Sequence, residues 1–131
     1  MGNSFKSCKD LEVWQKGMAL VKEVYKVTND FPGEEKFGLV NQIRRAVVSI
    51  PSNIAEGHAR SGTGEFKHFI SIAMGSVAES ETQLILSAEL GYLNEDATTV
   101  LLDQLDIIGK MLRGLYKSLE TRGSLWGRWY C

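Results

Sequence analysis

The sequence predicts an all-α fold: an up-down-up-down antiparallel four-helix bundle with its second helix kinked at Pro51. Three observations predict it. Four segments repeat apolar residues every three or four positions, the spacing of a buried helix face. Short turns containing Gly, Asn or Pro separate them. Sustained alternation and Asn-Gly hairpin turns, the marks of paired strands, are missing. The chain has 131 residues, 44% of them apolar, enough for the core of a single domain spanning 1–131.

The first segment, about 10–30, places Leu11, Trp14, Met18, Val21 and Tyr25 on one face. "NDFPGEE" ends it with turn chemistry. The second, about 34–58, opens on acids that suit a helix N-terminus and repeats Leu39, Ile43, Val47, Ile50 and Ile54. The third, about 64–90, follows "GHARSGTG", where Ser61 or Thr63 is placed to cap it. Its stripe is Phe66, Ile70, Ala73, Val77, Ser80, Leu84 and Ala88. Gly75, Ser76 and Ser80 keep one side slim enough for a neighbouring helix to approach closely. Gly91 suits the position after a helix end, and Asn94 suits the cap of the fourth segment, about 94–121. That segment has the cleanest stripe: Leu101, Leu105, Ile108, Leu112, Leu115 and Leu119. The tail, about 122–131, holds Leu125, Trp126, Trp129 and Tyr130 and is expected to dock on its own bundle or a neighbour. Base stacking beside Arg128 is the alternative.

Pro51 stands inside the second stripe. Proline removes a donor and crowds the carbonyl four residues back, here that of Val47. The apolar spacing through Ile54 favours a continuous helix, bent at Pro51, with Ser49, Ser52 or Asn53 satisfying freed backbone groups. Two helices broken at Pro51 are the alternative.

Net charge is −1, so the whole molecule does not advertise itself as a polyanion binder. The charges are segregated, however. From Glu79 to Asp106 there are 7 acids and no Lys or Arg; from Lys110 onward there are 5 bases and one acid. In the bundle, one end collects Asp30, Glu34, Glu35, Glu89, Glu95 and Asp96. The other collects Arg60, Lys67, Arg113, Lys117 and Arg122, with His58 and His68. Three readings fit: charge for solubility, a basic end that meets phosphate, or complementary contact between subunits.

Chemistry has little support. One Glu-x-x-His pair, Glu65 and His68, is half of a di-iron set, and His58 has no matching acid. The glycines of 57–64 lack the P-loop lysine, and no nucleophile elbow occurs. No catalytic residue, metal or cofactor is expected. Cys8 and Cys131 form no disulfide framework, which favours a reduced, cytoplasmic setting. No apolar run approaches the roughly 18 residues of a membrane span, so no membrane role is expected. Polar residues flank the middle of the bundle. Arg44 or Arg45 is expected to pair with Glu79 or Glu81 between helices or subunits, and a nucleic-acid role for these arginines is the alternative.

"QIRRAVVSIPSNIAEG" followed by "EFKHFISIAMGSVAESETQLILSAELGYL" resembles the 23S rRNA-intervening-sequence proteins, relatives of the accessory variability protein of diversity-generating retroelements. "DLEVWQKGMALVKEVYKVTNDFP" is similar to that family's first helix. The resemblance implies a non-enzymatic four-helix bundle that assembles as a homo-oligomer, a pentameric ring or barrel, with RNA or DNA as partner. On this reading Arg44, Arg45, Arg60, Lys67, Arg113, Lys117 and Arg122 are the nucleic-acid candidates. Pro51, Asn53, Glu56, Gly75 and Glu81 are expected to shape packing or interfaces. The alternative is a structural adaptor whose ring binds a protein partner.

Overall fold

The computed structural model describes residues 11–127, the side chains through residue 121. Four helices form: α1 (Glu12–Thr28), α2 (Leu39–Ala59), α3 (Thr63–Glu89) and α4 (Glu95–Gly127), with a 3₁₀ turn at Gly33–Glu35 before α2. No strand occurs among the described residues, and no described helix is long and apolar enough to cross a membrane.

Each helix packs on its neighbours around the bundle; α2 with α3 is the most extensive pairing and α1 with α4 the least among these. Thr28 of α1 meets Arg44 of α2, while Gly17 lies against Pro51. Ser49 of α2 meets Ser76 of α3, while Gly57 lies against Phe69. Lys67 of α3 meets Tyr116 of α4, while Val77 lies against Gly109. In each pair the numbers fall on one helix as they rise on the other.

The stripes of α2 and α4 are buried throughout: Leu39, Ile43, Val47, Ile50 and Ile54 on one, Leu101 through Leu119 on the other. Burying each such side chain contributes about 1.5–3 kcal/mol. α1 corrects the sequence reading. Its buried face is Val13, Gly17, Leu20, Val24 and Thr28. Trp14, Met18 and Val21 flank that face, and Tyr25 is exposed. Gly17 faces the ring of Pro51, where a Cβ would stand 3.4 Å from two of the proline's ring carbons, the near limit of ordinary contact.

α2 runs unbroken through Pro51, so the two-helix alternative falls. The buried ring fills the contact with Gly17. Asn53 donates to the Ser49 carbonyl at 2.8 Å and to Ser49 Oγ at 2.9 Å, rather than to the Val47 carbonyl. α2 begins at Leu39, later than the acids at 34 and 35 imply, because Gly33–Glu35 tightens into the 3₁₀ turn. The Glu35 carboxylate then accepts the Leu39 N–H at 3.1 Å, capping α2 from outside. α3 starts after Gly62 with no side-chain cap, against the expectation for Ser61 or Thr63. It ends in a Schellman closure at Gly91, φ 84°: the Tyr92 N–H donates to the Ser87 carbonyl and the Gly91 N–H to that of Ala88. Asn94 caps α4, its Oδ1 accepting the Ala97 N–H at 2.8 Å. α4 continues six residues past 121, into what the sequence reads as tail.

Candidate nucleic-acid interface

Lys67 lies in the first turns of α3, and Arg113 and Lys117 lie one turn apart on α4. The pairing of α3 with α4 brings Lys67 to α4: its Nζ stands 5.6 Å from the centre of the Tyr116 ring, whose residue lies between Arg113 and Lys117 in sequence. Arg113 and Lys117 are exposed, Lys67 half-buried. The ion pairs among the described residues leave all three free of carboxylate partners. Arg113 reaches back over Gly109, its guanidinium 3.5 Å from where a Cβ would sit. It lines a groove of about 110 Å³ with Met74, Glu81, Leu105 and Asp106. Glu65 and Glu120 are the exposed acids nearest in sequence, so the patch is locally rather than overwhelmingly basic.

Arg60 belongs to the same end but is neutralised. It pairs with Glu56 at 2.9 Å, and its guanidinium stacks 5.0 Å from the centre of the Phe69 ring. His58 is half-buried, edge-on to Phe66 at 6.2 Å, and burial lowers its pKa from 6.5. His68 is exposed, edge-on to Phe69. Arg122 lies outside the residues whose side chains are described.

Arg44 and Arg45 stand elsewhere. They precede Arg60 on α2 by about 24 Å of helix rise. Within the chain Arg44 does not pair with Glu79 or Glu81. It closes the C-terminal end of α1: Nε donates to Thr28 Oγ1 at 2.9 Å, and Nη2 to the Tyr25 carbonyl at 3.3 Å and Asn29 Oδ1 at 3.2 Å. The guanidinium also lies 4.3 Å from the centre of the Tyr25 ring. The unsatisfied carbonyls at the α1 end recruit the arginine, because they carry the negative end of the helix dipole. Arg45 is exposed. Glu79 accepts from Gln83 Nε2 at 3.2 Å, and Glu81 turns into the α3–α4 groove with Arg113.

The α2–α3 seam is polar. Ser49 and Ser76 hydroxyls meet at 2.7 Å, and Ser80 and Ser87 return their hydroxyls to the carbonyls one turn back. Gln83 Oε1 is buried without a partner. Gly75 lies outside the seam: a Cβ there would meet nothing within 4 Å. The close approach falls at Gly57, where a Cβ would stand 2.7 Å from Phe69 Cβ and 3.3 Å from the Phe66 carbonyl oxygen. Sequence reasoning passed over Gly17 and Gly57. A glycine inside an apolar helical stripe was the available signal.

At the opposite end Glu35 ties two turns together. Its second oxygen accepts the Tyr92 hydroxyl at 3.0 Å, and Phe31 packs 5.5 Å from the Tyr92 ring. The hydrogen bond to Glu35, then desolvation and the charges of Glu35 and Glu34, raise the Tyr92 pKa above 10.0.

Among the described residues no group of three or more His, Cys, Asp or Glu is placed to hold a metal ion. The basic end can offer cations and ring faces to an anionic polymer. The family model described as 23S rRNA-intervening sequence protein matches residues 9–114. No curated protein matches. A crystal structure of a protein with unknown function from the S23 ribosomal protein family of Bacteroides thetaiotaomicron shares the fold, with a TM-score of 0.73 at 23% identity, covering 80% of this chain and 98% of that one.

Proposed function

The chain belongs to the 23S rRNA-intervening sequence protein family, and from that premise we propose that it is a non-enzymatic, self-associating bundle that binds RNA or DNA through its basic end. Lys67 beside Tyr116, with Arg113 and Lys117 one turn apart on the same α4 and no carboxylate partner among the described ion pairs, carries this reading. Cations held without partners release counterions from phosphate, the term that drives sequence-independent binding. Tyr116 adds a ring face beside them. Self-association rests on Gly75: it is exposed on α3 with open space above it, one turn from Ile72, which is 38% exposed.

Fluorescence anisotropy of a single-stranded RNA, titrated at several salt concentrations, tests the binding. Three phosphate contacts give a slope of log K on log salt of about −2, and about −3 on duplex. Arg113→Glu with Lys117→Glu abolishes most of the affinity. Absence of binding at low salt, a signal indifferent to salt, or an unchanged double variant overturns the reading. Light scattering tests self-association, and a monomeric mass at all concentrations refutes it.

A further inference from the structure

The acidic end carries an unusual apolar surface. Phe37 is 87% exposed, Leu90 51% and Leu86 43%. Phe37 sits between the 3₁₀ turn and α2. The register that sets Ser49 against Ser76 and Gly57 against Phe69 carries Leu86 to the level of Leu39, and Leu90 to the level of the turn before it. Leu86 and Leu90 are one turn apart and share a helix face. Among the described residues, no exposed large apolar side chain lies between Pro51 and Phe69 or after Ile107.

The turn that presents Phe37 is firmly built. Glu35 holds the Leu39 N–H and the Tyr92 hydroxyl, and Phe31 packs on Tyr92. Phe37 therefore stands in water on an ordered turn, with Lys36 Nζ 5.6 Å from its ring centre. Exposed acids outnumber exposed lysines at this end: Asp30, Glu34, Glu89, Glu95 and Asp96 stand against Lys26 and Lys36.

We propose that this end docks a basic amphipathic helix of a partner protein. The helix lays its apolar side on Phe37, Leu86 and Leu90, and its lysines or arginines meet the acids around them. Charge selects the occupant. Nucleic acid is repelled by the same carboxylates, and two copies meeting acidic end to acidic end would juxtapose like charges. A second copy approaching with its basic end is the competing occupant, and the self-association arm of the test reads it out. The inference stands apart from the nucleic-acid reading, since it uses none of Lys67, Arg113 or Lys117.

The test titrates the full chain into a fluorescein-labelled leucine–lysine peptide of about five helical turns, with leucine on one side. A scrambled peptide of equal composition is the control. The expected result is saturable one-to-one binding, weakened about tenfold or more in the scrambled peptide, in Phe37→Ser with Leu90→Ser, and in Glu34→Lys with Glu89→Lys. All four positions are exposed, so circular dichroism should show each variant as helical as the parent. No binding, equal binding of the scrambled peptide, or retention by either double variant overturns the proposal. So does a self-associated parent that Phe37→Ser with Leu90→Ser turns monomeric, since a second copy would then be the occupant.

Discussion

Gly57→Ala and Gly75→Ala make the same chemical change in two helices, and the structure predicts opposite signs. Each replacement gains about 1 kcal/mol of helix propensity. At Gly75 nothing of the same chain stands within 4 Å of the new methyl, so in dilute, unassociated chain that gain is kept. At Gly57 the methyl stands 2.7 Å from Phe69 Cβ and 3.0 Å from Phe66 Cδ1. Carbon atoms rest about 3.5–4.0 Å apart, so roughly 1 Å must be found. Phe69 Cβ cannot rotate away, because it is fixed to the α3 backbone. α2 and α3 must separate across the most extensive pairing in the bundle. Overpacking of this kind costs about 1–3 kcal/mol, and a contact with no rotamer escape falls at the upper end. The net expectation for Gly57→Ala is a loss of about 2 kcal/mol. Urea unfolding followed by circular dichroism reads this as a midpoint lower by about 1 M, for a slope near 2 kcal/mol/M. Gly75→Ala moves the midpoint up by about half that. A Gly57→Ala midpoint at or above the parent's would refute the close α2–α3 approach.

Arg44→Ala should cost about 1–2 kcal/mol, discounted for its partly exposed bonds, while RNA affinity stays within about twofold; a large affinity loss would return Arg44 to the interface. Gln83→Met removes a buried oxygen that has no partner, so stability should hold or rise by up to about 1 kcal/mol; a clear loss would reveal an acceptor in use. His58 has its pKa lowered by burial, so the folded state takes up fewer protons than the unfolded chain below pH 6.5. Its contribution is complete above that pH and is lost as pH falls through the lowered value. Between about pH 7 and pH 5 the parent's Tm should fall more than that of His58→Gln, and parallel curves would contradict the burial.

How legible each part was depended on what its side chains answer to. α4 was plain because Leu101 through Leu119 answer to hydrophobicity alone, and one periodic stripe fixes one face. α1 was read one position off. Trp14, Met18 and Tyr25 carry more apolar area than Gly17 and Thr28, yet the smaller residues are inside. Gly17 faces the Pro51 ring, and Thr28 faces Arg44, whose Nε donates to its hydroxyl. Both depend on which residue of α2 arrives opposite, and spacing within one helix carries no such information. The arginines show the same divide. Their charge was visible in the chain, but sorting Arg44 to a helix end, Arg60 to Glu56 and Arg113 to an open groove required the register between helices.

That register also decides what the net charge means. A sum of −1 would argue against a polyanion ligand if the molecule met its partners as a point. It does not. α2, with 21 residues, separates the turn of Glu34 and Glu35 from the end holding Lys67 and Lys117 by about 30 Å. The Debye length at physiological ionic strength is about 8 Å, so each end is screened from the other by several such lengths. A phosphate arriving near Arg113 responds to Lys117 on the next turn and to Glu81 and Asp106 of the same groove, and not to Asp96 at the far end of the same helix. The two ends therefore act as independent electrostatic surfaces on one bundle. Charge reversal at Glu34 and Glu89 should leave RNA affinity within about twofold at physiological salt and raise it only as the Debye length approaches about 30 Å, near 0.01 M. An equal gain at both salt concentrations would mean the ends are not separate.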